Sequence, residues 1–559
     1  MKLWGAPVLS AALLELPFPI AGPMLPWRSV FAWFGLVPLL WAILSPATFE
    51  SKRPFRRAFL LGYLCGVLWY MGNCYWVRDT MLRYGDMPIG APTLLLIAFS
   101  LVLGLYCGLF GLGLMLVRKA TRAPLPALLA APFLWVALDL IAARVTSVPW
   151  DQLGYSQVDS SFVTQLAPWS GVYGITFLLV AVSSFLIFPT LSGKETPSIG
   201  LRGWRWMASS GIVAYALLYL LFAGPVLLSP KPSTSATAVL IQPNLDVAGD
   251  NDWSSPADWQ QHMAWLQELA SDRCKTYIAG IPQTGAPDTQ LNCPPNPTHP
   301  DLVVWPEAPA LSFMEADPRF QRGIASLANA EQSPVIVGGI GSDNLQGQQF
   351  DYNSAMVFAP DGQPVGRYDK IHLVPFGEYI PFQQYLTFAH KLTGKVSSFS
   401  RGTQRSTFRL NGHRYGVFIC YEAVFADEVR HFAQLGAEVL VNISDDAWYG
   451  DTSAPWQHLN MVRMRAIENR RWLIRATNNG VTAAIDPYGR VRQSIPRHVA
   501  DSLPAQYGFR DDVTFYSNHG DIFAWLCVMA SVAILLGSAK KRIKQLADDT
   551  SDLKTIQRR

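Results

Sequence analysis

Charged residues are scarce in this sequence. Asp, Glu, Lys and Arg make up 15% of its 559 residues, whereas average globular proteins contain about 25%. The formal net charge is only +4, which is too small to indicate a nucleic-acid partner. Hydrophobic residues, by contrast, make up 50% of the chain. This balance is typical of a membrane protein that also carries a polar part.

Metal-binding motifs are absent as well. None of the seven cysteines forms a C-x-x-C pair, and the nine histidines show neither H-x-x-x-H nor H-E-x-x-H spacing. Protein zinc sites are usually recognised by such spacings. We therefore expect no metal and no other cofactor.

Long apolar segments are plentiful. Each is close to the ~20 residues that a helix needs to cross the hydrocarbon core of a bilayer. The second follows the first almost at once, without a small-residue cleavage site, so the first is not a cleaved signal peptide. We predict eight transmembrane helices, at 4–21, 27–45, 57–77, 90–117, 124–141, 171–190, 205–228 and 519–538.

Lys and Arg are concentrated in every second loop between these helices. The basic segments are 52–57, 118–122, 194–205 and 540–544. Cytoplasmic loops carry such an excess of positive charge. The pattern predicts that both termini are cytoplasmic and that the long segment 229–518 lies on the outer side.

The outer segment alternates short apolar runs with helical patterns, which predicts an α/β domain. The stretch YNSAMVFAPDGQPVGRYDK is typical of a β-hairpin with Asp361 and Gly362 at its turn, and VRQSI is the last strand that we predict. The expected organisation is a transmembrane domain of seven helices at 1–228, a linker at 229–235, the α/β domain at 236–510, a return segment with the eighth helix at 511–538, and a cytoplasmic tail at 539–559.

Three polar residues follow apolar strand patterns: Glu307 after LVVWP, Lys370 after VGRYD and Cys420 after GVFI. Strand ends are where ligand sites form in α/β sheets. A glutamate can act as the base for a thiol, whose pKa of ~8.5 leaves little thiolate at neutral pH. A lysine ammonium and the backbone N–H after Cys420 can bind the oxyanion of a tetrahedral intermediate. The pattern favours a nucleophilic site.

Structural explanations for each residue stay open at this point. A lone cysteine at a strand end is usually an inert core residue. Taken alone, Glu307 fits a helix start, and Lys370 fits an ordinary surface charge.

Several motifs carry a family resemblance. LVVWPEAP, YDKIHLVPFGEYIP and ICYEAVF resemble the three catalytic motifs of the nitrilase superfamily. The eight predicted helices, together with SSFSRG, NISDDAWYG and RATNNGVTA, make the chain similar to the bacterial apolipoprotein N-acyltransferases. The resemblance covers nearly the whole chain. A departure is the segment 272–300, which is longer than the family needs.

The resemblance implies an α-β-β-α sandwich outside the inner (plasma) membrane, on the periplasmic side. It implies a ping-pong transfer of the sn-1 acyl chain of phosphatidylethanolamine, through a thioester on Cys420, to the N-terminal amine of a diacylglyceryl-modified apolipoprotein. Glu307 would move protons and Lys370 would stabilise the oxyanions. The partners would thus be a phospholipid donor and a lipoprotein acceptor, and we expect a monomer.

Further site residues follow from the same resemblance. Glu378, Tyr421 and Glu422 match family positions that support the site, and Trp253 matches a tryptophan that contacts substrate. Trp448 and Tyr449 either gate the pocket or fill the core. The segment 379–392 is either a membrane-dipping lid or an ordinary packed helix. Asp139 and Arg144, near the outer end of the fifth helix, either bind a lipid head group or lie at the interface as snorkelling charges.

Cys274 and Cys293 are the cysteines of the outer domain besides Cys420, and they bracket a loop rich in Pro and Gly. Such a loop has little apolar surface with which to order itself, and the outer compartment oxidises thiols. We predict a Cys274–Cys293 disulfide.

Two other functions remain to be weighed. A membrane-tethered amidase or nitrilase for small amides would use the same three residues in a small closed pocket. A receptor or transporter would require polar residues in the middle of the membrane helices. The sequence shows almost none, which counts against the second alternative.

Overall fold

The computed structural model describes residues 3–85, 87–150, 152–191, 230–247, 256–271, 299–309, 314, 317–379 and 399–557. Four of our expectations lie outside these residues: the predicted helix 205–228, Trp253, the Cys274–Cys293 disulfide and most of the segment 379–392. The disulfide therefore stays a prediction.

The N-terminal third and the C-terminal end are helical. The helices are α1 (Gly5–Glu15), α2 (Val37–Leu44), α3 (Pro46–Phe49), α4 (Pro54–Asn73), α5 (Trp76–Tyr84), α6 (Ala91–Thr121), α7 (Pro124–Thr146), α8 (Ala167–Ser170), α9 (Val172–Leu191), α10 (Pro256–Ser271), α11 (Pro318–Glu331), α12 (Ala426–Gln434), α13 (Ala454–Asn469), α14 (Phe515–His519) and α15 (Ile522–Gln557). Short 3₁₀ helices lie at Pro26–Trp33, Leu153–Gln157, Val163–Leu166, Cys420–Val424 and Asp446–Tyr449.

Among the described residues, 5 helical segments are long and apolar enough to cross a membrane. All five match predicted helices with shifted bounds; Pro124–Thr146, for example, ends five residues beyond our estimate of 141. The predicted second helix corresponds to the candidate span Pro26–Leu44, which consists of the 3₁₀ segment Pro26–Trp33 followed by α2. The first predicted helix forms only over Gly5–Glu15, which is shorter than a membrane span.

Two six-stranded sheets form the α/β domain. Their strands are β1 (Ala236–Gln242), β2 (Leu302–Val304), β3 (Val335–Leu345), β4 (Gln348–Phe358), β5 (Pro364–Asp369), β6 (Thr407–Leu410), β7 (His413–Ile419), β8 (Val439–Ser444), β9 (Trp472–Thr477), β10 (Ala483–Ile485), β11 (Val491–Ser494) and β12 (Asp501–Tyr507). The strand orders are β12-β1-β2-β3-β4-β5 and β11-β10-β9-β8-β7-β6.

The sheets pack face to face, with helices on their outer faces. Leu240, Val304 and Ile336 of the first sheet share one buried cluster with Val417 and Leu440 of the second. The opposite face of the first sheet packs on α10 and α11, and α12 and α13 pack on the second sheet. The domain is therefore the α-β-β-α sandwich that the resemblance implied.

Two strands, β6 and β12, were not predicted from the sequence. β6 pairs with β7, and β12 pairs antiparallel with β1. The domain thus closes with β12 rather than with VRQSI. Pro504 interrupts the strand pattern of β12, but a proline is tolerated there because β12 is an edge strand.

The sandwich packs directly on the apolar helices. Tyr421, Tyr449 and Met464 of the α/β domain belong to the same buried hydrophobic cluster as Trp69 and Trp135 of the membrane helices. Because Tyr421 follows Cys420, the candidate nucleophile lies where the sandwich meets the helical base.

Candidate active site

Glu307 lies three residues beyond the end of β2, on a segment that packs closely over β3. A Cβ at Gly338 of β3 would lie 2.7 Å from the Glu307 Cα, so the glycine permits this approach. Both carboxylate oxygens of Glu307 are engaged. Oε1 accepts from the Lys370 ammonium at 3.0 Å, and Oε2 accepts from the backbone N–H of Asp445 at 2.9 Å.

Lys370 follows β5 and is 1% exposed. Its Nζ donates to Glu307 at 3.0 Å and to Glu378 Oε1 at 2.8 Å. Burial opposes the ammonium charge, but the Glu307 and Glu378 carboxylates outweigh burial and raise the pKa of Lys370 well above its ordinary value. Lys370 is therefore a fixed positive charge in the site.

Cys420 follows β7 in a backbone conformation that is unusual for a residue with a side chain. Its φ is +47°, in the left-handed region, which costs a non-glycine residue of order 1–3 kcal/mol. The residue is 6% exposed. Burial, and then the charge of Glu307, raise the pKa of the thiol well above its ordinary value, while Lys370 acts in the opposite direction. The resting residue is a thiol that needs a base.

Glu422 fixes the turn that carries the thiol. Its Oε2 accepts from the Ile419 N–H at 2.8 Å, and its Oε1 accepts from the Ile371 N–H at 2.6 Å and from the Tyr368 hydroxyl at 2.8 Å. One carboxylate thus binds the chain just before Cys420 and the chain just after Lys370. This contact sets the two functional segments at a fixed separation.

The structure places five of the six proposed core site residues close together and turns the sixth towards the apolar helices. Glu307, Lys370, Glu378, Cys420 and Glu422 form the buried polar cluster described above, whereas the Tyr421 hydroxyl donates to the backbone oxygen of Ser147 at 2.8 Å. Tyr421 thus links the nucleophile segment to the loop after α7.

The substrate-binding candidates Tyr449 and Trp448 differ in their burial. Tyr449 is buried, with its ring 5.4 Å from that of Trp76 and 6.2 Å from that of Trp150. Trp448 is 41% exposed, and its ring lies 5.1 Å from the Tyr84 ring of α5. Tyr449 therefore fills the junction with the helical base, and Trp448 lies at its rim.

Arg144 is paired with two carboxylates of the protein. Its Nη2 bonds to Asp427 Oδ2 and to Asp521 Oδ2, each at 2.8 Å. The guanidinium is therefore held by carboxylates of the protein, one on α12 of the sandwich and one just before α15.

Sequence reasoning missed three residues of the site. Asn353 donates to Glu307 Oε1 and to Glu378 Oε1, both at 2.6 Å. Asp445 is buried beside Glu307, and burial followed by the Glu307 charge raises its pKa to about 8. His458 Nε2 donates to the Cys420 carbonyl oxygen at 3.1 Å. Asn353 lies within a strand and gives no local signal, whereas Asp445 belongs to the quoted motif NISDDAWYG.

The fold and this site define a carbon–nitrogen hydrolase domain joined to membrane helices. Residues 237–498 match the family model "Carbon-nitrogen hydrolase", and residues 10–185 match "Apolipoprotein N-acyltransferase N-terminal domain". Among solved structures, the chain is similar to Saccharomyces cerevisiae Nit3 of the nitrilase superfamily, at 17% identity and a TM-score of 0.34, over 51% of this chain and 93% of that one.

Full-length relatives narrow the assignment. The apolipoprotein N-acyltransferase of Geobacter metallireducens is 32% identical over 543 residues, which cover 96% of this chain and 95% of the relative. That of Vibrio vulnificus is 30% identical, over 93% of this chain and 97% of the relative. The chain belongs to the apolipoprotein N-acyltransferase family.

Proposed function

We propose that this protein transfers an acyl chain from a phospholipid, through a thioester on Cys420, to the N-terminal amine of a diacylglyceryl-modified apolipoprotein. One observation carries the proposal: the Glu307–Lys370–Cys420 cluster is buried against the membrane helices, with Tyr421 bonded to the loop after α7. A lipid ester can reach such a thiol from the bilayer, whereas a soluble amide would gain nothing from that location.

In the first half-reaction, Glu307 takes the proton of the Cys420 thiol as sulfur attacks the ester carbonyl. The Lys370 ammonium and the backbone N–H of Tyr421 bind the oxyanion of the tetrahedral intermediate. Collapse of the intermediate breaks the ester C–O bond, and the departing alkoxide takes the proton from Glu307. The products are a lysophospholipid and an acyl-Cys420 thioester.

In the second half-reaction, the amine of the acceptor attacks the thioester and loses a proton to Glu307. Lys370 again binds the oxyanion. The Cys420 thiolate leaves and recovers the proton from Glu307, so the enzyme returns to its starting state. The raised pKa of the thiol fits this scheme, because sulfur becomes nucleophilic only as the base removes its proton.

The finer features belong to the same proposal. The donor is the sn-1 chain of phosphatidylethanolamine, and eight helices span the inner membrane. The sandwich lies on the periplasmic side, both termini are cytoplasmic, and the protein acts as a monomer. The basic loop segments at 52–57, 118–122 and 540–544 support this orientation.

Intact-mass analysis of the purified protein mixed with phospholipid tests the reaction and the residue together. We expect a mass gain of one acyl chain, which a diacylglyceryl-cysteine peptide then removes. Cys420→Ala should give neither adduct nor product, Cys420→Ser should lose turnover, and Cys74→Ala, a matched buried cysteine, should keep both. Normal turnover by Cys420→Ala would refute the mechanism. Hydrolysis of small amides without a lipid adduct would instead indicate an amidase.

A further inference from the structure

A short turn after the Asp446–Tyr449 3₁₀ helix is flanked by cationic side chains from two distant parts of the chain. A Cβ at Gly450 would lie 2.7 Å from Arg83 Nη1, so the missing side chain makes room for the Arg83 guanidinium. From the other direction, Arg497 Nη2 donates to the Gly450 carbonyl oxygen at 2.9 Å. His498 adjoins Arg497. We call Arg83 and Arg497 the rim cations.

Negative charge does not balance the rim cations. Asp451 Oδ1 lies 2.7 Å from His498 Nε2 and 3.8 Å from Arg497 Nη1, but the Asp451 side chain is 71% exposed. The buried Asp446 also acts on Arg497. Across the part of the chain that the structure describes, no carboxylate lies within ion-pair distance of Arg83. Partial burial and the neighbouring Arg497 lower the pKa of His498. His498 is therefore a neutral hydrogen-bonding group near neutral pH, and the positive charge available to a ligand is that of Arg83 and Arg497.

The rim cations lie beside the candidate active site. Tyr84, next to Arg83, donates its hydroxyl to the Ala447 carbonyl oxygen at 2.8 Å. Ala447 belongs to the same short segment as Asp445, whose backbone N–H binds Glu307. The end of α5 is thus attached to the segment that positions the proposed base.

Exposed apolar side chains also lie beside the rim cations. Leu82, on the other side of Arg83, is 53% exposed, and Trp448 is 41% exposed. Exposed apolar side chains of this kind, next to cationic ones, are typical of the boundary between bilayer and water. A lipid that enters from the bilayer would pass its head group across the rim cations.

We propose that Arg83, supported by Arg497 and His498, forms the subsite for the phosphate group of the acyl-donor lipid; this assignment rests on the proposed function. In a phospholipid, the phosphate and the ester carbonyl are joined through one glycerol unit. When the carbonyl is at Cys420, the phosphate must lie a few bonds away, at the rim of the site. Guanidinium groups are well suited to phosphate, because their planar donors bind its oxygens in pairs.

The test compares two acyl donors on the full-length protein. One donor is phosphatidylethanolamine, and the other is diacylglycerol with the same chains and no phosphate. The initial rate of Cys420 acylation is measured by intact mass as a function of donor concentration. Arg83→Gln should lower kcat/KM for the phospholipid by about tenfold or more, the loss expected for hydrogen bonds to a charged group, mainly through KM. The ratio of kcat/KM for phospholipid to kcat/KM for diacylglycerol should therefore be smaller in Arg83→Gln than in the wild-type protein.

Two further variants control the result. Arg78→Gln removes the other arginine of α5, which is paired with Asp79 at 3.1 Å, and should keep the wild-type donor preference. Arg83→Lys keeps the charge and should recover part of the preference. An unchanged phospholipid KM in Arg83→Gln, or an equal loss with both donors, would overturn the subsite.

Inorganic phosphate separates a lipid subsite from a general anion site. We expect it to compete weakly with phospholipid in the wild-type protein and less in Arg83→Gln. Competition by phosphate without any donor preference would overturn the assignment to the lipid. Absence of an acyl adduct in the wild-type protein with either donor would refute the proposed function instead, so the two failures are distinguishable.

Discussion

Glu307 has two effects on Cys420 that act in opposite directions. As a nearby negative charge it raises the pKa of the thiol, and as a base it would remove the thiol proton. Glu307→Gln distinguishes the two effects. If Glu307 is the base, the variant's thiol should react more slowly than wild type with an alkylating agent at neutral pH. A faster reaction would show that only its charge matters.

Substitution of Lys370 tests whether its ammonium group stabilises the oxyanion. Lys370→Ala should lower the acylation rate by about 10²–10³, as expected for a lost oxyanion donor. The loss should appear in kcat, because the oxyanion exists only in the transition state and the intermediate. A change confined to KM would instead assign Lys370 to donor binding.

The raised pKa of Asp445 predicts that the acylation activity falls at alkaline pH. Because burial and Glu307 raise its pKa to about 8, it is protonated near neutrality and becomes charged above pH 8. The new charge then lies beside Glu307, where it opposes formation of a thiolate. We expect acylation to fall above pH 8 in the wild-type protein and to persist in Asp445→Asn. The same alkaline limb in both proteins would refute this role.

The raised pKa of Asp445 also predicts the direction in which the stability of the fold changes with pH. Between about pH 4 and pH 8 the folded protein keeps a proton on Asp445 that the unfolded chain has released. Stability therefore falls as pH rises through this window, and it levels off above pH 8. Relative to wild type, the thermal midpoint of Asp445→Asn should rise from pH 4 to pH 8 and then stay constant.

Residue types and strand ends indicated Glu307, Lys370 and Cys420, because each follows an apolar run. Asn353 could not be predicted in this way. It lies in the middle of β4, and the antiparallel pairing of β4 with β5, which places Ser354 opposite Asp369, brings it next to Lys370. The Lys370 N–H donates to the Asn353 carbonyl oxygen at 2.9 Å. Its importance is a property of sheet register, which a single strand pattern does not contain.

The turn after β7 is held in its unfavourable conformation by contacts with other elements. Glu422 binds the Ile419 N–H, and His458 of α13 binds the Cys420 carbonyl. Glu422→Gln replaces one acceptor oxygen with an amide that faces backbone donors. Leaving buried groups unsatisfied costs about 1–3 kcal/mol each. We expect a lower thermal midpoint and a large loss of acylation.

Glu428→Gln is the matched control for that variant. Glu428 is also buried, but its partners are the side chains of Arg405 and His372 rather than the backbone at the nucleophile. It should lose stability while retaining more of its acylation rate than Glu422→Gln. Equal losses of rate in the two variants would show that Glu422 has no special role in positioning the thiol.

Most individual strands and helices of the α/β domain were predictable from the sequence. The pairing of the last strand with the first strand was not. The hairpin around Gly362 and the strand before Cys420 follow from local sequence patterns. β12 does not, because Pro504 breaks its pattern and its partner β1 comes from the opposite end of the domain. Pairing over such a distance leaves no local signature in the sequence.

At the scale of the whole molecule, the sequence predicted two parts but not the way they join. Gln457 of α13 accepts from Trp150 at 2.8 Å and donates to Asn73 Oδ1 at 2.8 Å. Tyr421 binds Ser147 across the same junction. None of these residues differs in type from ordinary polar residues of a helix or loop. Their role depends on the docking of two domains, which composition and spacing do not specify.

Arg144 is a partly exposed residue of that junction and can be tested by substitution. It joins Asp427 of the sandwich to Asp521 at the start of α15, and Asp521 is 6% exposed. Arg144→Gln leaves the Asp521 carboxylate without its cation, although the Tyr516 hydroxyl still donates to it at 2.9 Å. Since the Arg144 side chain is 47% exposed, we expect a moderate loss, about 1–2 kcal/mol.

Thermal unfolding in detergent micelles measures this loss, with Arg122→Gln, an exposed arginine at the end of α6, as the control. A double-mutant cycle with Asp521→Asn then isolates the contact. If the pair holds the two parts together, the double variant should be more stable than the sum of the single losses predicts, because neutralising Asp521 removes the penalty of its uncompensated charge. Strictly additive losses would show that Arg144 stabilises the junction only by packing.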